Sequence, residues 1–85
     1  MKIFYAPVFL RQFGKLEPDL QDEIVLKIES FRLGRDPQQL KIHKLKGKLS
    51  GHFSFSVNYR FRIVFVYRTK TEVILTSVGD HDVYK

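Results

Sequence analysis

The sequence predicts an α+β domain in which an N-terminal strand and a two-helix hairpin pack on a small antiparallel sheet. Three observations carry this. Apolar residues recur at helical spacing between Pro7 and Phe31, and at strand spacing after Ile42. Proline and glycine fall at the junctions between these segments. The stretch Tyr59–Tyr67, YRFRIVFVY, has the aromatic and β-branched content of a central strand.

Lys2–Ala6 is apolar enough for a first strand. Pro7 suits the first position of a helix, where its missing N–H costs nothing. Phe9, Phe13 and Leu16 then follow on one face, with Arg11, Gln12 and Lys15 outside. Pro18 ends this helix and opens the next. Asp19, Asp22 and Glu23 occupy the second helix's first turn, where its dipole favours acids. Leu20, Ile24, Ile28 and Phe31 form its apolar stripe, widened by Val25, and Gly34 is its C-cap. Both helices are scaffold whose stripes must cover a sheet.

Arg35–Leu40 reads as a loop and Ile42–Leu45 as a short strand. Gly47 and Gly51 bracket Leu49 in tight turns that offer it to the core. Phe53, Phe55 and Val57 alternate with Ser54, Ser56 and Asn58, the pattern of a strand with one buried face and serines on the solvent side. Asn58-Tyr59 turns the chain into the organising strand. Arg68–Thr71 is a polar turn, Val73–Val78 the last strand, and Gly79 ends it. A short polar and aromatic tail follows, from Asp80 to Lys85.

The 85 residues are expected to form one domain, 1–85, with one modest core. Hydrophobic residues make up 44%, which speaks against disorder. The absence of cysteine excludes a disulfide framework and a thiolate metal site, so a reducing cytoplasm is the expected location. No apolar run approaches membrane-spanning length, and no signal peptide or membrane partner is expected. Net charge is +6, and its placement says more than its size. From Arg32 to Lys70 there are ten lysines and arginines against one acid, Asp36. Such a span is expected to meet a polyanion or an acidic protein.

His43, His52 and His81 lack metal-ligand spacing, and there is no phosphate-cradling glycine loop or nucleophile elbow. No metal and no cofactor are expected. Arg62 stands out because it lies within an apolar run, where arginine is rarely buried unpaired. Either it reaches water or a carboxylate at the strand's edge, or its face floors a groove for an anion. Its planar fork suits a phosphate. His81 titrates near neutral pH and so can act as acid or base.

Three segments together resemble the RelE/ParE toxin superfamily. They are Leu45–Ser54 (LKGKLSGHFS), Phe61–Phe65 (FRIVF) and Val78–His81 (VGDH). The resemblance covers nearly the whole chain and implies the RelE-like, microbial-ribonuclease type of fold. It also implies the toxin half of a toxin–antitoxin pair, with an acidic antitoxin as partner. Most members of that family cut mRNA in the ribosomal A site without a metal. By this resemblance Arg62 would support the scissile phosphate, and His81 would protonate the leaving 5′ oxygen. His43, where members carry His or Glu, would be the base for the 2′-hydroxyl. Tyr84 would stack on a base.

The sequence departs from the family on the first central strand, where Phe53, Ser54, Phe55 and Ser56 replace lysines that some members carry. Lys44, Lys46 or Arg60 would have to supply the remaining charge, with Lys41 and Lys48 joining them on the RNA and ribosome. Two function classes follow. One is a ribosome-dependent mRNA endonuclease. The other is a non-cutting fold-mate: a ParE-like gyrase inhibitor, or an RNA- or ribosome-binding translation blocker. His43 with His81 favours the nuclease, since a binder needs charge but no proton donor.

Overall fold

The computed structural model describes residues 1–80. The chain runs β1 (Lys2–Tyr5), α1 (Pro7–Gly14), α2 (Pro18–Arg32), α3 (Pro37–Leu40), β2 (His43–Lys44), a 3-10 turn (Gly47–Leu49), β3 (Phe53–Ser56), β4 (Arg62–Thr69) and β5 (Glu72–Gly79). The strands form one sheet in the order β1-β5-β4-β3-β2. Strands β2 to β5 pair antiparallel, as expected, but β1 joins β5 in parallel and makes the sheet mixed. No tight turn links β1 to β5, so nothing local in the sequence sets their relative direction. No helix among the described residues is long and apolar enough to cross a membrane.

Each of the three prolines stands at the start of a helix. None of the N-caps supplies a side-chain hydrogen bond, so the prolines' preset φ is the main local start signal. The end of α2 is defined by Gly34 at φ +69°. Arg35 N–H donates to Ser30 O at 2.8 Å and Gly34 N–H to Phe31 O at 3.2 Å. This crossed pair of bonds is the Schellman arrangement, and it needs a left-handed residue at Gly34.

Phe31, on α2, is the side chain that joins helix to sheet. Its ring lies 4.4 Å from that of Phe55 and 4.8 Å from that of Phe65. Phe9, Ile24, Ile28 and Leu40 from the helices, and Ile63, Val73 and Leu75 from the strands, complete the core around them.

Four local expectations differ from the structure. The predicted loop after Gly34 contains α3, because Leu40 is apolar enough to enter the core and Pro37 starts a turn toward it. Leu49 is only half-buried and does not join the core. Tyr59 is 91% exposed, and β4 begins at Arg62 rather than Tyr59. Ser54 and Ser56 are buried rather than on a solvent face. Ser54 lies between the larger His43 and Val64, and Ser56 lies beside Arg62.

The Schellman geometry yields a stability prediction. Nothing lies within 4 Å of where a Cβ on Gly34 would stand, so only backbone strain opposes a side chain there. Gly34→Ala should therefore destabilise the domain by about 1–2 kcal/mol. In a thermal melt this lowers Tm by roughly 4–8 °C per kcal/mol for a domain of this size. Gly34→Asn should recover part of the loss. An unchanged melting curve for Gly34→Ala would show that the helix end is not held this way.

Candidate functional site

Strand alternation divides the candidate residues between two faces. Phe55, Ile63 and Phe65 face the helices. Ser54, Ser56, Arg62 and Val64 therefore face away from them. The register arranges this far face in rows. His43 is opposite Ser54, Ser54 opposite Val64, and Val64 opposite Ser77. The next row holds Ser56, Arg62 and Gly79.

Arg62 is half-buried at the start of β4. Its Nη1 donates to Asn58 O at 2.6 Å and to Phe61 O at 3.2 Å. Nη1 is the terminal nitrogen on the Cδ side of the guanidinium. Its commitment to carbonyls leaves the Nε–H and Nη2–H pair, which points the other way. These parallel donors are the fork that takes a carboxylate or phosphate side-on. No carboxylate fills it: among the described residues the ion pair is Arg32–Glu29, on the exposed surface of α2. There the Arg32 guanidinium, bonded to Glu29, holds that carboxyl below its ordinary value. Among the described residues, then, Arg62 pairs with no carboxylate.

His43 is exposed, but its ring is held at both nitrogens. Nδ1 lies 3.0 Å from Lys41 O, and Nε2 lies 3.4 Å from Ser54 Oγ. A carbonyl oxygen only accepts, so in the neutral ring Nδ1 carries the proton and Nε2 the lone pair. The Lys41 carbonyl reaches His43 because Lys41 adopts a left-handed conformation, with φ 50°. A lysine in that region is strained by about 1–2 kcal/mol. Such strain is often found where a backbone group must be aimed.

His43 and Arg62 share the far face but do not touch. Two strand spacings and two residues along the strand put their Cα atoms roughly 12 Å apart. Arg62's head, bonded to Asn58 O, is drawn toward the β3–β4 turn and away from the His43 row. The proposed cations are more scattered. Lys44 is opposite Phe53 and so lies on the helix side of the sheet, not beside His43. A two-residue edge strand puts consecutive side chains on opposite faces, which separates them. Lys46 and Lys48 are exposed at the 3-10 turn, and Lys41 is exposed before β2. Arg60 is exposed in the β3–β4 turn, with its guanidinium 5.5 Å from the Phe61 ring centre. His81 and Tyr84 lie outside the described residues. Among those residues no group of His, Cys, Asp and Glu is arranged to hold a metal.

Two contributors escape a reading of the sequence. Ser54 resembles a solvent-face serine until the register brings it against His43 Nε2. Asn58 is readable as a turn residue, but not as the group that holds Arg62.

No family model matches the chain, and no curated protein matches its sequence. Solved structures do match its fold. YafQ from Escherichia coli strain BL21(DE3) superposes with a TM-score of 0.79 at 13% identity, covering 96% of this chain and 94% of that one. YafQ in the E. coli DinJ–YafQ toxin–antitoxin complex gives 0.76 at 14% identity, covering 96% and 93%. The YoeB–YefM complex from Staphylococcus aureus gives 0.72 at 19% identity, covering 95% and 97%. YafQ and YoeB are toxins of the RelE/ParE superfamily, the group that the sequence resembles. The likeness at these identities is one of fold.

Proposed function

We propose that this chain is the toxin of a type II toxin–antitoxin pair, and that it cuts mRNA on the ribosome. The observation that carries this reading is the Nε–H and Nη2–H fork of Arg62 on the far face, which pairs with no carboxylate among the described residues. That face also bears His43, whose Nε2 lone pair meets the Ser54 hydroxyl at 3.4 Å. The fold shared with YafQ and YoeB supports it.

The chemistry is transesterification within the RNA. His43 Nε2 accepts the proton of a 2′-hydroxyl, and that oxygen attacks the adjacent phosphorus. The bond from phosphorus to the 5′ oxygen breaks, leaving a 2′,3′-cyclic phosphate. His81 gives its proton to the departing 5′ oxygen, and Tyr84 stacks on a neighbouring base. Arg62 receives the charge that grows on the phosphoryl oxygens. Ser54, within reach of Nε2, holds the His43 ring before substrate arrives. Lys41, Lys46, Lys48 and Arg60 bind RNA and ribosome by charge alone. Lys44, on the other side of the sheet, serves that attraction at longer range.

The role of Arg62 is tested by primer extension on a message in a translating extract. Losing a donor to transition-state charge is worth about 2.7–4 kcal/mol, so Arg62→Ala should cut roughly a hundredfold to a thousandfold more slowly. A folded Arg62→Ala protein that cleaves like the parent removes Arg62 from the chemistry. A parent protein that arrests translation with no cut in the message, or arrests growth through gyrase, favours the non-cutting class.

The proposal includes an acidic antitoxin. Ten cations against one acid between Arg32 and Lys70 require a counter-charge during storage. Affinity purification of the tagged chain from its native host should recover a small acidic protein. Recovery of nucleic acid with no such protein would count against the toxin reading.

A further inference from the structure

We infer that Asn58, anchored on helix α2 through Glu23, is a positioning residue that sets where the Arg62 guanidinium points. The inference rests on the reading that this guanidinium receives a phosphate, and it names what fixes its direction. Asn58 Oδ1 accepts from Arg60 N–H at 2.9 Å and from Phe61 N–H at 2.8 Å. Its Nδ2 donates to Glu23 Oε1 at 2.8 Å, across 35 residues of sequence. The side chain is therefore tied to its own turn at one end and to the helical layer at the other. Its backbone carbonyl then accepts Arg62 Nη1 at 2.6 Å.

The direction of the fork follows from this chain of bonds. Arginine has four rotatable side-chain bonds, and a strand places only its Cβ. Holding Nη1 on the carbonyls of Asn58 and Phe61, both in the turn that the Asn58 side chain ties together, fixes the guanidinium plane and presents Nε–H and Nη2–H together. A loose turn would let that carbonyl rotate, and the plane with it. Asn58→Ala keeps the carbonyl but removes all three side-chain bonds that hold the turn. A merely structural turn residue would share those bonds. It would not couple specifically to Arg62, and that difference can be measured.

Two readouts test this on the full chain. The first is the arginine side-chain proton–nitrogen NMR spectrum, which needs no catalytic activity. Arg62 should show separate, slowly exchanging Nη1 and Nη2 signals in the parent and merged signals in Asn58→Ala. The second is single-turnover cleavage with ribosome affinity measured in parallel. Misaiming a catalytic group costs roughly a hundredfold, so Asn58→Ala should slow cleavage by about that factor with affinity unchanged. In an Arg62→Ala background, Asn58→Ala should slow it no further. If Asn58→Ala fails to fold, Asn58→Asp replaces it. That variant keeps the acceptor for the turn but opposes Glu23, and adding Glu23→Gln should restore the bond and the Arg62 signals. Unchanged Arg62 signals in folded Asn58→Ala would overturn the inference. So would an equal loss of cleavage with and without Arg62. If Arg62→Ala alone leaves cleavage intact, the phosphate reading fails instead, and the NMR signals still decide whether Asn58 sets the guanidinium.

Discussion

The contact of Phe31 with Phe55 and Phe65 is the constraint on which the site depends. It joins the helical layer to the two central strands. It also fixes which residues of β3 and β4 face inward. Strand side chains alternate with a period of two, so Phe65 and Ile63 in the core require Val64 and Arg62 on the other face. A slip by one residue would push the Arg62 charge among phenylalanines. Burying an unpaired ion costs several kcal/mol, a large share of the 5–15 kcal/mol that typically stabilises a domain. The packing that makes the fold stable thus also keeps Arg62 on the face that can meet an anion.

Charge is distributed to match. The acids of the helical half include Asp19, in the first turn of α2, where the helix dipole favours it. The cations that follow are spread over β2, the 3-10 turn, the β3–β4 turn and the start of β4. Arg62 differs from the others in being half-buried and held by two carbonyls. Exposed lysines attract a polyanion from any direction, whereas a fixed fork can receive one phosphate in one orientation. In the proposed reaction, attraction and chemistry fall to different side chains. Glu23, on the acidic helix, is bonded to Asn58, whose carbonyl accepts from Arg62.

Much of this was legible in the sequence, for physical reasons. Pro7, Pro18 and Gly34 mark helix limits because their backbones favour those positions. The alternation in Phe53–Val57 and the apolar run after Arg62 mark the central strands. Arg62 is visible because a charge inside such a run is expensive. What escaped the sequence depends on partners distant along the chain. The parallel sense of β1 comes from pairing with β5, more than sixty residues on. The bond from Asn58 to Glu23 spans the domain, and no turn rule predicts it. The His43 tautomer depends on a left-handed Lys41, a conformation that lysine does not signal.

The central claim is that this face cuts RNA by turning RNA's own 2′-hydroxyl against the next phosphate. The most direct measurement uses two messages in a translating extract, identical except for one 2′-deoxy sugar at the mapped cut. The account predicts that the all-ribose message is cleaved at that phosphate and that the deoxy message is not, while both hold the protein on the ribosome equally. Cleavage of both messages at the same phosphate and rate, or of neither, would contradict it.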